Sequence, residues 1–597
     1  MGAVARLRGG VSVEAAEAEA TRLHLNGRSE EIERNRYSGT ASIMLAPLTE
    51  AAGPEPSDES RVARWLAGMS TIVLLIACAN VANLMLARGA RRRRETNVRL
   101  ALGAGRRRLV GGAVAESVIL ALLGGALALA LARWGGGLVR STLLPGVSFP
   151  DAAINRYVLL FTAGASVLAG LLAGLPPALA AARHDVGRGM ASDSRGNSAA
   201  RSRVRGVLTV TQAALSVVLL VGAGLFVRSL GELRSLDLGL DTDRLLVADF
   251  EFVEFDPDPS VRAEAYERAM QRVAALPEVE SVAATASPFG MSRALGLRVP
   301  GLDSIPRLSG GGPYIFSVTP GYFETAGLTI TAGRAIDERD GPDATPVVVV
   351  SETMARALWP GEDPMGRCVL VGSDQERCTS VVGVVEDAAR NGYRDRPYMA
   401  YYLSMPQVDA LQLERALGAP SGIYVRSHGP ASDAESAVTA SLRAMPPQVR
   451  WVRVQTLQER LDPQARSWTL GATMFSVFGL LALALAAVGL YSVLAFDVAQ
   501  RTCELGIRSA LGAERARLLR SVLYQGGRLA VLGVAVGLAV AYVAAPRVQD
   551  LLFQVSPRDP RVLGAVALTL LAVSLAASLI PGLRATRVDP VAALRAD

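Results

Sequence analysis

Crossing about 30 Å of hydrocarbon takes roughly 20 consecutive apolar residues in a helix, and seven stretches of this sequence meet that requirement. They run Trp65–Ala87, Ala113–Ala132, Tyr157–Ala180, Gly206–Val227, Trp468–Phe496, Arg528–Ala544 and Leu563–Ile580. A soluble core can bury one such helix, but hardly seven. Half of the residues are hydrophobic and only 5% aromatic, yet 20% are charged. That mixture predicts membrane spans alternating with a polar domain.

Arginine sets the direction of the spans. The segment after the first carries Arg88, Arg91, Arg92, Arg93, Arg94, Arg99, Arg106, Arg107 and Arg108 against Glu95 alone. Arginine-rich clusters also follow the third span (Arg183 to Arg205), the fifth (Arg501 to Arg520) and the last (Arg584 to Arg595). Cytoplasmic loops retain excess arginine, so these four segments are predicted inside. Residues 1–64 and about 228–467 are then outside. The net charge of +7 is thereby an orientation signal, and no nucleic-acid partner is expected. The chain contains no lysine, and a P-loop needs one on the β/γ-phosphates. ATP, if it drives this protein, binds another chain. His24, His184 and His428 lie far apart without HExxH or paired Cys-x-x-Cys spacing, so no metal site is expected. No nucleophile elbow is found. An enzyme is not the expected reading, although a carboxylate-based site in the outer region stays open.

The chain contains itself twice. ETNVRLALGAGRRRL (Glu95 to Leu109) is echoed by ELGIRSALGAERARL (Glu504 to Leu518), each with a span before and after it. Both copies close alike, LPPALAAARHD (Leu175 to Asp185) against LIPGLRATRVD (Leu579 to Asp589). Upstream, a helical run Val13–Leu25 and a strand Ala41–Leu48 parallel a helix Ala431–Met445 and a strand Val449–Val454. Val98, Leu102 and Leu109 beside Arg99 and Arg106, and Ile507, Leu511 and Leu518 beside Arg508 and Arg515, read as a short amphipathic helix ended by Gly103 or Gly512. A helix lying on anionic lipid is the alternative reading.

The outer stretch alternates strands (Leu245–Phe252, Ser281–Ala286, Tyr314–Thr319, Thr345–Ser351, Thr379–Val385, Ala400–Leu403, Gly422–Val425) with helices (Ser260–Leu276, Glu352–Trp359, Ala431–Met445). An α+β domain with its own core is predicted. Cys368 and Cys378 flank Gly372-Ser373-Asp374 in a hairpin and are expected to form a disulfide outside the membrane, while Cys78 and Cys503 stay reduced. The string from Leu308 to Gly312 imitates an ATPase signature loop but reads as a flexible glycine loop. Glu116, Asp151, Arg156 and Asp497 sit near span ends, and no polar series that would line a conduit for a small solute is evident along any span.

The string LLIACANVANLMLARGARRRRETNVRLALGAGRRRL, the outer GYFETAGLTITAGR (Gly321 to Arg334) with VVVVSETMARALWPGEDPMGR (Val347 to Arg367), and the closing VDPVAALRAD (Val588 to Asp597) resemble the FtsX/MacB-type permeases of ABC systems, in their duplicated branch. The resemblance implies a multi-span α-helical membrane protein: an internally duplicated FtsX-like helix bundle carrying a large extracytoplasmic α+β domain, multi-pass in the bacterial inner (plasma) membrane. It implies a remnant of a first MacB-like periplasmic core domain at 1–64 and an FtsX-like permease domain at 65–185, then a cytoplasmic linker at 186–205. A span at 206–227 opens the second module, followed by a second MacB-like core at 228–467 and a second FtsX-like domain at 468–597. A complete relative has one more span and outer domain, so Met1 is expected to be a misplaced start or the chain truncated.

The resemblance makes the repeated segment a coupling helix, with Glu95, Val98, Arg99, Leu102 and Gly103 in one copy and Glu504, Ile507, Arg508, Leu511 and Gly512 in the other. Its implied partner is a separate MacB- or LolD-like ABC ATPase that binds the ATP, and this chain carries no cofactor. Membrane lipid and a periplasmic protein are the other implied partners. The implied function is efflux or export, with mechanotransmission to a periplasmic or cell-wall partner as the alternative.

Overall fold

The structure, a computed structural model, describes residues 6–8, 10–27, 43–45, 58–91, 106–143, 155–182, 195–253, 258–372, 377–408, 417, 419–443, 449–511 and 514–586. They divide into two compact units, Met1–Glu232 with Ser467–Asp597, and Leu233–Arg466.

The first unit is helical. After α1 (Val13–Asn26) come α2 (Asp58–Arg91), α3 (Arg106–Leu143), α4 (Arg156–Ala182) and α5 (Arg195–Arg234). Among the described residues, seven helices are long and apolar enough to cross a membrane, at the places the hydropathy predicts. The sixth predicted span corrects: its helix begins at Arg515 rather than Arg528. Arg515, Arg517 and Arg520 ride on its first turns, because an arginine stem can lie along apolar surface while its head stays wet. The strand predicted at Ala41–Leu48 is absent over the described Ile43–Leu45. That stretch is held on α1 by side chains instead, Ile43 N–H donating to Thr21 Oγ1 (2.9 Å) and Leu45 N–H to Glu17 Oε1 (2.7 Å).

The second unit carries β1 (Leu245–Phe252), α6 (Pro259–Ala274), β2 (Val279–Thr285), β3 (Leu297–Arg298), β4 (Tyr314–Val318), α7 (Tyr322–Ala326), β5 (Ile330–Gly333), β6 (Val347–Ser351) and α8 (Glu352–Leu358). β7 (Cys368–Val371), β8 (Thr379–Val385), β9 (Ala400–Ser404), β10 (Gly422–Ser427), α9 (Ala431–Leu442) and β11 (Val449–Thr456) follow. The strands form one mixed sheet in the order β11-β1-β10-β2-β4-β9-β6-β8-β7-β3, with β5 against β8. β6 reads VVVVS and is buried throughout, as a strand between neighbours and covered on both faces must be. α6 and α9 cover one end of the sheet through Tyr266, Ala269, Val273, Ala434 and Val438. α8 covers the other through Met354 and Leu358, its first turn capped by Ser351 Oγ accepting from Met354 N–H at 3.2 Å. The predicted helices overrun the observed ends, by two residues at Ala274 and one at Leu358, and Arg443 has already left the helix that ends at Leu442. The two-residue β3, the four-residue β5 and the five-residue α7 escape prediction because their periodicity is too short to read.

Cys368 opens β7, and Cys378 stands one residue before β8 rather than within it. The two are joined as a disulfide with Cα atoms 5.3 Å apart. The glycine string is not a free loop. Gly310 N–H donates to Pro397 O at 3.1 Å, and a methyl on Gly310 would meet Pro397 O at 2.6 Å, so glycine is there for close backbone approach. Asp340 is buried and accepts both guanidinium arms of Arg334 at 2.7 Å, with Asp337 N–H donating to it at 3.0 Å.

The first unit closes with α10 (Leu457–Gln500), whose first residues belong to the outer unit, then α11 (Thr502–Ala510), α12 (Arg515–Ala544) and α13 (Pro560–Ala585). Small residues let these helices approach, and the repeat is visible in how they do so. Counting from Glu95 and Glu504, Ser117 falls opposite Gly526; counting back from Leu175 and Leu579, Gly174 falls opposite Ser578. A methyl on Gly174 would stand 2.6 Å from Ser117 Oγ, and one on Gly526 would stand 2.5 Å from Ser578 Oγ. The same serine–glycine contact joins α3 to α4 and α12 to α13, with the two residues exchanged. α5 in turn packs on α12 where Gly533 meets Ala213 and Gly537 meets Ala214 and Val217.

Candidate coupling segment

α11 is a separate short helix. α10 stops at Gln500, Arg501 turns, and Thr502 Oγ1 caps back onto Ala499 O at 2.9 Å. Glu504 and Arg508 pair along it at 2.5 Å, one turn apart, both about half exposed, a spacing worth only a few tenths of a kcal/mol on a wet helix. Gly506 is buried. Ile507 is 43% exposed and Leu511 is 82% exposed, Leu511 N–H donating to Ile507 O at 3.0 Å. The segment therefore offers two apolar side chains one turn apart, flanked by a salt-bridged pair.

The predicted apolar row Ile507, Leu511, Leu518 is corrected at its end. Leu518 lies on the next helix, α12, and is buried with Val522 and Ala585. The chain turns after Ala510, so the row is two residues long on the surface. Glu95, Val98, Arg99, Leu102, Gly103 and Gly512 lie outside the described residues.

One feature of the spans escaped the sequence reading, which found no polar series that would line a conduit for a small solute. Arg205, Thr209, Gln212 and Ser216 recur on α5 at the period of one helix face. Thr209 is 5% exposed, Gln212 1% and Ser216 0%. Arg205 donates to Leu86 O of α2 at 3.0 Å and stacks 4.1 Å from the Phe496 ring centre. Ser216 Oγ donates to Ala482 O of α10 at 3.2 Å. Gln212 Nε2 and, from α2, Asn80 Nδ2 both donate to Leu485 O, at 2.7 and 2.9 Å. Asn80 falls opposite Gly489 in the repeat, and the two meet: a methyl on Gly489 would stand 2.5 Å from Asn80 Oδ1 and 2.6 Å from Gln212 Oε1. Three spans thus converge on one backbone carbonyl.

Comparison with known proteins agrees with this anatomy. The profile of the FtsX-like permease C-terminal family matches residues 67–186 and again 476–590, and that of the MacB-like periplasmic core domain matches 207–444. The macrolide export ATP-binding/permease protein MacB of Neisseria meningitidis is 26% identical over 290 residues, 47% of this chain and 43% of that protein. The probable syringafactin export ATP-binding/permease protein SyfD of Pseudomonas syringae is 24% identical over 302 residues, 47% of this chain and 42% of that protein. The matched stretch thus spans less than half the length of each relative. The solved periplasmic region of MacB from Actinobacillus actinomycetemcomitans matches 37% of this chain and 92% of its own at 17% identity and TM-score 0.27. With the permease profile found twice and the core-domain profile between its copies, the chain belongs to the FtsX/MacB-type permeases of ABC transport systems, as a multi-pass inner-membrane protein with a large extracytoplasmic domain.

Proposed function

We propose that this chain is the transmembrane permease of an ABC-type exporter, that a separate ATPase drives it, and that the paired repeat segments are the docking points. The observation that carries this is the exposed pair of Ile507 on α11 and Leu511 just past its end, at the position where the sequence repeats itself as Val98 and Leu102. An exposed apolar pair at the end of a helix of nine residues is a binding feature when a groove on a partner receives it. Glu504 and Arg508, with Glu95 and Arg99 in the other copy, frame the apolar knob and set its orientation. ATP-driven approach of the two ATPase copies would draw the segments together, and the spans would pass that motion to the outer domain, which expels or extracts a hydrophobic or peptide-like solute.

A photocrosslinking residue in place of Leu511 tests the docking. In native membranes the expected adduct is with an ABC ATPase, formed at Leu511 and not at Leu480, an exposed residue within the apolar span of α10. Adducts with lipid alone at both positions would return α11 to a helix resting on the bilayer. If an ATPase docks but no solute moves in sealed vesicles, the mechanotransmission alternative takes the place of export.

A further inference from the structure

The junction of α2, α5 and α10 leaves four polar atoms in the apolar interior with no hydrogen-bond partner among the described residues: Asn80 Oδ1, Gln212 Oε1, and both Asn83 Oδ1 and Asn83 Nδ2. All three side chains are more than nine-tenths buried. Buried polar groups in proteins are almost always paired, and in a bilayer the surrounding hydrocarbon offers no partner. We propose that Asn80, Asn83 and Gln212 form a water-binding site inside the transmembrane helices, continued toward the arginine-rich side by Thr209 and Arg205.

The chemistry selects water. A bare cation would take the amide oxygens but not the Asn83 Nδ2 donor, and Asn80 Nδ2 and Gln212 Nε2 stand beside the same oxygens, both committed to Leu485 O. Water donates to Asn80 Oδ1 and Gln212 Oε1 and accepts from Asn83, which gives it the two to four partners a buried water needs. Gly489 leaves room for it, since any side chain there would meet both amide oxygens. The polar face of α5 leads from half-buried Arg205 through Thr209 to Gln212, a route from the side predicted to be cytoplasmic. With water present, α2, α5 and α10 exchange hydrogen bonds without passing through an unpaired state, and the junction becomes the place where these spans shift against one another.

The test uses the full chain in lipid vesicles, with Cys78→Ala and Cys503→Ser as background and single cysteines introduced one at a time. The cysteine thiolate attacks the sulfenyl sulfur of 2-aminoethyl methanethiosulfonate, forming a mixed disulfide and releasing methanesulfinate, and the thiolate forms only where water reaches the thiol. Asn83→Cys and Gln212→Cys are expected to label at least about tenfold faster than the equally buried Ala213→Cys and Leu219→Cys, tenfold being one unit of thiol pKa. Adding Gly489→Ala is expected to slow the Gln212→Cys reaction. Uniformly slow labelling at all four positions overturns the proposal. A second arm needs no reagent: in a hydrated site Asn83→Leu discards hydrogen bonds and the melting temperature falls or stays level. In a dry site it removes two orphan groups, and a rise in melting temperature overturns the proposal.

Discussion

At Leu511 nearly the whole side chain faces outward, so replacing it removes no packing. Leu511→Glu is expected to leave the melting temperature within about 0.5 kcal/mol of equivalent stability, measured by differential scanning fluorimetry in detergent, while abolishing ATPase binding. Asp340 is the contrasting residue. Burial raises its carboxyl, but the two-armed Arg334 guanidinium and the Asp337 amide outweigh burial and hold it below the ordinary value. A carboxylate held below its unfolded value stabilises the fold at pH above that unfolded value, about 4, and loses the contribution as pH falls through the lower folded one. The outer domain is therefore expected to weaken progressively below about pH 4. Asp340→Asn should cost about 1.5–3 kcal/mol at neutral pH and flatten that dependence in melts taken across the acid range. Leu511 was legible in the sequence because the repeat singles it out. The Asn80–Asn83–Gln212 junction was not, because α2 and α5 are far apart in the chain and Asn80 and Gln212 meet at a backbone carbonyl that has no sequence signature. Only the period of Arg205, Thr209, Gln212 and Ser216 on one span was there to be read.

Between helices, the exchanged serine and glycine make a direct experiment. Gly174→Ser alone should crowd Ser117 and cost about 1–3 kcal/mol. Adding Ser117→Gly recreates the arrangement of the second copy, Gly526 against Ser578, and is expected to recover most of the loss. A double-mutant cycle on melting temperatures reads the coupling directly, and simple additivity of the two changes would contradict the pseudo-symmetric packing. In the outer domain, the disulfide at Cys368 and Cys378 closes a loop of ten residues. Cys368→Ser with Cys378→Ser is expected to lower stability by about 2–3 kcal/mol, seen as an earlier thermal transition. Long elements were legible here: β1 and β8 fall where alternation and apolar runs place them. Helix ends were not, because Ala275 and Leu276 after Ala274, and Arg443 after Leu442, continue the helical pattern while the chain has already turned. The tight packing of Gly310 depends on a strand end remote in sequence, so its string reads locally as a loose loop.

For the whole molecule, the two FtsX-like matches, the core-domain match between them and the seven apolar helices agree on one architecture. Hydropathy and arginine placement made that architecture legible, since each span must satisfy the membrane on its own. What moves through it, and which engine moves it, depend on surfaces of other molecules. The central claim is that α11 and its repeat partner join this permease to an ATPase. Affinity purification of the tagged full chain from its native membrane in mild detergent, with mass spectrometry of what accompanies it, tests that claim most directly. An ABC ATPase that co-purifies with the unaltered chain and disappears on Leu102→Glu with Leu511→Glu is the predicted result. An ATPase retained by the double variant, with the fold intact, would contradict it.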